Sequence, residues 1–220
     1  MILKVDHVSL SSTDFSEAER DLSRFGYQKQ FEEKGMKNAE IKKPLLHSWS
    51  KEHDLALFSQ KDSIAIELLN HGSIRHDVRS FFVPILTGEA PVLQGLLARA
   101  KDLAKSESFW GYFGFQCILK GDDYRILKFI SPLQAASCTL YLVRSSEPAQ
   151  KTKLDDAGFP SIAFISNDVG REKEVLDKKN IQTTAVEQLV VHNKTFDICF
   201  AQGSQGEIVE LLSLDKKYSS

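Results

Sequence analysis

A weak internal duplication is the feature that most constrains how this chain can fold. The stretch DHVSLSSTDFSEAERDLSRFGYQ (residues 6–28) aligns without gaps on PSIAFISNDVGREKEVLDKKNIQ (residues 160–182). Few residues are identical, but polar and apolar positions correspond along the whole alignment. A repeat of this length predicts the same small unit near both ends of the chain, and it changes how each local motif is interpreted.

Each copy begins with a strand pattern. In the first copy Val8 and Leu10 fall on one face, and Val5, His7 and Ser9 on the other, because side chains alternate along a strand. In the second copy the core-facing residues are Ile162 and Phe164, and Ser161 and Ala163 lie opposite. His7 therefore shares its place in the repeat with Ser161.

A helix pattern follows each of these strands. Asp14 with Glu17 forms a capping-box signature, and Asp168 occupies the same place in the second copy. The apolar stripes of these helices consist of Phe15, Ala18, Leu22 and Phe25 in the first copy, and of Val169 and Leu176 in the second.

The two copies also end alike. AIELL (residues 65–69) matches IVELL (residues 208–212), and each follows a turn-prone stretch and an apolar strand pattern. Each copy therefore reads β-α-β-β-β. Alternation places Glu67 and Glu210 on the faces of Ala65 and Ile208, so each glutamate interrupts a largely apolar face.

The middle of the chain resembles a degenerate third copy. We expect a strand at residues 80–88, a helix at residues 90–105, a hairpin at residues 115–130 and a last strand at residues 138–143. This copy has no histidine in its first strand, and Tyr141 stands near the position of the glutamate. The aromatic run FWGYFGF (residues 109–115) is interpreted as core or as a pocket wall.

Composition restricts the class of protein. The 220 residues contain 42% hydrophobic and 26% charged residues, which is typical of globular domains. The net charge of −2 and the interspersed lysines disfavour nucleic acid as a partner. No apolar run predicts a membrane span and no signal peptide is recognisable, so we expect a cytoplasmic protein. Cys117, Cys138 and Cys199 are interpreted as free thiols.

A repeated βαβββ unit with a histidine in its first strand and an (I/V)EL glutamate in its last resembles the vicinal oxygen chelate superfamily, which includes glyoxalases and bleomycin-resistance proteins. The resemblance implies an α+β fold of repeated βαβββ modules that form cupped mixed sheets. The modules are predicted at residues 1–72, 76–146 (degenerate) and 157–214. The sequence leaves open whether the first module pairs with the third, with the middle one, or across a homodimer.

The resemblance also implies a divalent metal in the cup. By position, His7, Glu67 and Glu210 correspond to metal ligands, and the fourth ligand position falls on Ser161, whose hydroxyl binds metal poorly. Inward-facing ionisable groups on an apolar face need a partner in any case. An imidazole with two carboxylates suits Zn, Ni, Mn, Co or Fe, and the missing second histidine disfavours an extradiol dioxygenase.

Two functions remain open at this point. The first is a metal-dependent lyase or isomerase acting on a small oxygen-chelating substrate, in which Glu67 or Glu210 serves as general base. The second is a metal-free protein that binds or sequesters a small molecule in the cup, as resistance-type members of the superfamily do. Ser161 favours the second, and the three predicted ligands favour the first.

Further residues are candidates for contact with a small-molecule ligand. The insertion at residues 34–54 is interpreted as a loop over the cup, from which Trp49 and His47 have access to a ligand. His192 lies in the strand-like LVVHN and points into the cup if the register allows. Together with Ser161 and Tyr141, Trp49 and His192 complete the predicted substrate-binding set.

Overall fold

The computed structural model describes residues 1–76, 80–87, 92–133, 137–147 and 151–214. Its first segment runs strand, helix and three strands, as the repeat predicts. These elements are β1 (Ile2–Ser11), α1 (Phe15–Arg24), β2 (Gln28–Lys37), a 3-10 helix (Glu40–Leu45), β3 (Glu52–Ser59) and β4 (Ala65–Asn70).

The middle and last segments contain the remaining elements. The middle segment consists of β5 (Phe82–Thr87), β6 (Val92–Ala100), α2 (Leu103–Tyr112), β7 (Phe115–Lys120), β8 (Tyr124–Phe129) and β9 (Thr139–Arg144). The last segment consists of β10 (Gly158–Ser166), α3 (Val169–Asp177), β11 (Gln182–Thr183), β12 (Glu187–Val191), β13 (Lys194–Gln202) and β14 (Ile208–Leu214).

The first and last segments join through their first strands. β1 pairs antiparallel with β10, and each of these strands pairs on its other side, in parallel, with the last strand of its own segment, β4 or β14. The strand order across this part of the sheet is β2-β3-β4-β1-β10-β14-β13-β12. The choice that the sequence left open is therefore resolved in favour of pairing between the first and last segments within one chain.

The middle segment forms a sheet in the order β5-β6-β9-β8-β7, which meets β10 through β5. Its β6 and β9 are parallel, as β1 and β4 are. The helix predicted at residues 90–105 is wrong over its first part, because β6 occupies Val92–Ala100. Gly95 allows β6 to lie close to β9, since a Cβ at this position would lie 3.2 Å from the Thr139 carbonyl oxygen of β9.

The helix of the middle segment begins at Leu103, close to the end of the predicted range of residues 90–105. Asp102 caps it by accepting a hydrogen bond from the Lys105 amide. Its aromatic residues Phe109, Trp110 and Phe113 are buried, which confirms the interpretation of the aromatic run as core.

The two faces of the sheet bury different residues. One face carries the helices, and its core includes Val8, Leu22, Trp110 and Phe164, which come from all three segments. The predicted caps are present, since Asp14 and Asp168 accept hydrogen bonds from the backbone amides of Glu17 and Arg171.

The opposite face, which we call the concave face, has a core of its own. Leu55, Leu69, Ala163, Phe200 and Ile208 belong to it, so it is formed by strands of both the first and the last segment. The three predicted metal ligands, His7, Glu67 and Glu210, lie on this face.

Two details of the predicted pattern differ from the structure. Val5 packs in the helix-side core with Val8, although strict alternation placed it on the face of His7, because the pairing of β1 with β10 shifts register between Val5 and His7. Phe25 is 41% exposed and is the C-cap residue of α1.

The three cysteines are free thiols, and Cys138 and Cys199 are buried. Among the described residues, no helix has the length and apolar character that crossing a bilayer requires.

Candidate metal centre

His7 is oriented by the residue that precedes it. The register shift between Val5 and His7 is a bulge in β1, and it brings the carboxylate of Asp6 beside the imidazole. Asp6 Oδ2 lies 3.1 Å from His7 Nδ1, and the other oxygen of Asp6 lies 2.6 Å from Lys4 Nζ. With Nδ1 engaged in this way, Nε2 is the ring nitrogen that faces the concave side.

The strand register brings the two glutamates to this nitrogen. Glu67 is paired with Ser9 across β1 and β4, and Glu210 is paired with Ala163 across β10 and β14. Because His7 itself pairs with Ala163 across β1 and β10, the imidazole lies between the two carboxylates.

The resulting distances are those of a compact cluster. His7 Nε2 lies 3.3 Å from Glu67 Oε2 and 3.8 Å from Glu210 Oε2. One ligand atom from each residue lies within 4.8 Å of the others. Nitrogen and oxygen ligands of a transition metal bind at about 2.0–2.2 Å from the ion, so two ligands of one ion lie up to about 4 Å apart. The three residues fit around one ion with small side-chain adjustments.

The electrostatics of the cluster reflect mutual stabilisation. Burial alone lowers the pKa of His7, but the charge of Glu67 and the interactions with Asp6 and Glu210 outweigh it and raise this pKa well above its usual value. Burial raises the pKa of Glu67, yet the nearby His7 and the charge of Lys42 lower it to about 2. A metal ion at the same place would replace the imidazolium proton as the partner of both carboxylates.

Two buried polar atoms at the site, one from His7 and one from the nearby Ser161, have no hydrogen-bond partner. His7 Nε2 is within ion-pair distance of the glutamates but is not aligned for a hydrogen bond, and the buried Ser161 Oγ, on the neighbouring strand, has no partner either. An unsatisfied buried polar atom costs about 1–3 kcal/mol. An imidazole nitrogen without a hydrogen bond and two carboxylates on one covered face form a donor set that fits a divalent transition metal.

The concave face is covered by residues 38–49, which we call the covering segment. Ala39, Leu45 and Leu46, in and around its 3-10 helix, are buried in the concave core. Asp155 fixes the far end of the segment by accepting hydrogen bonds from the backbone amides of His47 and Ser48. The side chain of His47 binds Asp156, with Nε2 2.9 Å from Oδ1.

The covering segment inserts a lysine that the sequence analysis missed. Lys42 is only 3% exposed, and its Nζ lies 5.8 Å from the centre of the Phe200 ring. Phe200 is the cross-strand neighbour of Glu210. The lysine therefore lies above the same face as the metal ligands.

Two further histidines were also missed. His53 and His71 are buried and stacked, with ring centres 5.3 Å apart, and all four of their ring nitrogens lack a hydrogen-bond partner. A signal for them exists in the sequence, since Glu67, Leu69 and His71 are spaced by two and fall on one face of an extended chain.

The remaining predicted ligand-contact residues lie in several places. Trp49 packs at the edge of the concave core, with Lys43 Nζ 5.0 Å from its ring centre. His192 lies in the turn between β12 and β13 and stacks on Phe31 at 4.8 Å. Tyr141 is on β9, in the sheet of the middle segment, beside Gly95.

Comparison with solved structures identifies the fold. Glyoxalase I from Zea mays superposes with a TM-score of 0.60 at 12% identity, over 96% of this chain and 92% of that chain. The chain therefore has the glyoxalase fold. The expected fold class, α+β with a cupped mixed sheet, is confirmed.

Two further solved structures match with lower TM-scores and over a smaller share of this chain. A bleomycin resistance determinant encoded on the transposon Tn5 matches with a TM-score of 0.38 at 13% identity, over 54% of this chain and 94% of that chain. An integron cassette protein from the mobile metagenome of V. cholerae matches with a TM-score of 0.41 at 12% identity, over 60% of this chain and 98% of that chain. No family model and no curated protein sequence matches the chain.

Proposed function

We propose that this glyoxalase-fold protein binds a divalent transition metal through His7, Glu67 and Glu210 and acts as a lyase or isomerase on a small oxygen-chelating substrate. The observation that carries the proposal is the convergence of one imidazole and two carboxylates within 4.8 Å on a covered face, with His7 Nε2 left without a hydrogen bond. Zn, Ni, Mn, Co and Fe all accept this ligand set.

The residues of the chain have distinct roles in this proposal. Asp6 positions His7 so that Nε2 faces the ion. When bound, the ion supplies Lewis acidity to the chelating oxygens of the substrate. Ser161 lies at the fourth position with a free hydroxyl, so it contributes a hydrogen bond to substrate or water rather than a strong ligand.

Glu210 is the better candidate for the general base. Glu67 Oε2 accepts a hydrogen bond from Ser9 Oγ at 3.4 Å and lies closer to His7 than Glu210 does. Glu210 is therefore the less restrained of the two carboxylates. A carboxylate that exchanges between ion and substrate can take a proton from a carbon next to a chelating oxygen.

The single chain provides the complete ligand set. His7 and Glu67 come from the first segment and Glu210 from the last, and their strands pair directly. We propose that the chain consists of three βαβββ modules at residues 1–72, 76–146 and 157–214, of which the first and third form the site. A homodimer is not needed to assemble it.

The experiment is metal analysis of protein purified without chelator, with melting temperature measured before and after metal is added. We expect about one ion per chain and a higher melting temperature, because an ion that binds only the folded state stabilises it. Glu210→Gln should lose the ion, whereas the matched control Glu174→Gln, an exposed residue of α3, should keep it. Absence of both stoichiometric metal and a thermal shift would refute the metal enzyme.

A metal-free binding protein is the second candidate. The serine at the fourth position and the buried Lys42 favour it, since an ammonium group near the carboxylates can balance their charge without an ion. In this case metal would leave the melting temperature unchanged, and Glu210→Gln would not alter metal content.

A further inference from the structure

The concave face contains a second group of polar atoms besides the predicted metal ligands. His53 and His71 face each other from β3 and from the residue after β4, as the neighbouring pairs Leu55–Leu69 and Asp54–Asn70 do. Both imidazoles are almost completely buried, and none of their four ring nitrogens has a hydrogen-bond partner. Such atoms are usually satisfied by a ligand or by water.

Lys42 supplies a positive charge to the same region. Lys42 is a buried residue of the covering segment. Its charge adds to the effect of burial in lowering the pKa of both His53 and His71. The charge of Lys42 also acts on Glu67, but it leaves the two imidazoles without partners. A small anion beside Lys42 is the simplest ligand that would interact with the ammonium group and accept hydrogen bonds from both imidazoles.

The pair is unsuited to a second metal ion. The rings stack with an interplanar angle of 25° and centres 5.3 Å apart, so their nitrogen lone pairs lie side by side instead of converging on one point. The positive charge of Lys42 also opposes a cation. Burial lowers the pKa of His53 to about 2 and that of His71 to about 3, so at neutral pH each ring is uncharged and has one N–H to donate.

The position of the pair relative to the metal ligands defines the length of a ligand. Glu67, Leu69 and His71 follow one another on one face, so the Cα atoms of Glu67 and His71 are about 13 Å apart. Leu55 and Leu69 lie between the two polar groups and belong to the concave core. A molecule that reaches both groups therefore needs an apolar middle.

We propose that Lys42, His53 and His71 form an anion-binding subsite for the far end of the substrate. The substrate class is then a small molecule with two chelating oxygens at one end, a short hydrocarbon linker, and a carboxylate or phosphate at the other. This inference rests on the proposed function for the chelating end. The subsite itself depends only on residues of the first segment that are not metal ligands.

The first test compares 2-oxo dicarboxylates of five to seven carbons with 2-oxo monocarboxylates of the same length by calorimetry, on protein loaded with metal. At least one dicarboxylate should bind about tenfold tighter than its partner, because only it offers a charge to the subsite. Lys42→Met should abolish this preference and leave metal content unchanged. Lys43→Met is the matched control, since Lys43 is exposed and lies over Trp49, and it should keep the preference.

The second test uses chelator-treated protein and the imidazole nitrogen NMR signals of His53 and His71. Inorganic phosphate or acetate should shift these signals in the wild type and not in Lys42→Met, and the anion that acts at lower concentration identifies the preferred group. Metal binding without an anion effect in either test overturns the subsite alone. An anion effect in protein that binds no metal supports the subsite and refutes the proposed enzyme.

Discussion

The carboxylate of Asp6 lies 3.1 Å from Nδ1 of His7, its neighbour in the chain, and this contact leaves Nε2 facing Glu67 and Glu210. Adjacent residues of a regular strand point to opposite faces, so the contact depends on the bulge in β1. The bulge thus determines the orientation of the histidine that we propose as a metal ligand.

Asp6→Asn should weaken metal binding about 10- to 100-fold, the usual effect of losing a partner that orients a ligating histidine. Competition with a metal-sensitive dye measures the affinity. Asp21→Asn, which changes an exposed carboxylate paired with Arg24, serves as the control. Equal affinities of both variants and the wild type would show that His7 needs no such orientation.

Ser161→Ala should raise the free energy of unfolding of the metal-free protein by about 1 kcal/mol, because it removes a buried hydroxyl without a partner. Urea denaturation measures the change. Ser166→Ala in the same strand should have the opposite sign, since Ser166 Oγ accepts from the Asp168 amide at 3.1 Å. A destabilised Ser161→Ala protein would mean that the hydroxyl is bound in solution.

His71 should make the free energy of unfolding of chelator-treated protein decrease as the pH is lowered. Burial, together with the charge of Lys42, lowers the pKa of His71 from 6.5 to about 3. Below about pH 6 the unfolded chain therefore binds a proton that the folded protein does not, and each pH unit removes about 1.4 kcal/mol of unfolding free energy.

His71→Phe should reduce this slope between about pH 6 and pH 4, because the proton that the unfolded chain binds at His71 is no longer counted. Urea denaturation across the range gives the slope for both proteins. Identical slopes would show that His71 is already protonated in the folded protein, or reaches water in it.

Asp155→Ala should loosen the covering segment. Its carboxylate accepts the backbone amides of His47 and Ser48 at 2.8 Å and 3.0 Å, and hydrogen bonds to a charged group contribute about 1.5–3 kcal/mol each. Hydrogen exchange should accelerate at residues 38–49. The control Asp122→Ala, in the exposed β7–β8 turn, should not change hydrogen exchange at residues 38–49. Unchanged exchange in Asp155→Ala would show that Asp155 does not hold the covering segment in place.

Much of the site was predictable from local patterns. Period-two alternation placed each glutamate on a largely apolar strand face, and the repeat made Glu67 equivalent to Glu210 and His7 equivalent to Ser161. Their convergence in one cup was expected only from the resemblance to the vicinal oxygen chelate superfamily. Strand pairing was not predictable in the same way, because the contact between β1 and β10 joins residues far apart in the chain, and no local pattern specifies the partner.

The errors have local physical causes. Residues 92–100 are rich in helix-forming leucine and alanine, yet Gly95 allows close contact with β9 and burial in the sheet overrides propensity. Lys42 was missed because a lysine in a loop is expected to be exposed, and only the fold of the covering segment buries it.

The antiparallel contact of β1 with β10 brings together His7 and Glu210, which are far apart in the sequence. During synthesis His7, Glu67 and Glu210 cannot come together until β14 has left the ribosome, so the proposed metal site cannot form before β1, β4, β10 and β14 are all available to pair. Until then the apolar residues of the concave face on β3 and β4 lack the strands of the last segment that cover them. The long chain segment between β1 and β14 has to close before these strands pair, so folding is expected to be slow.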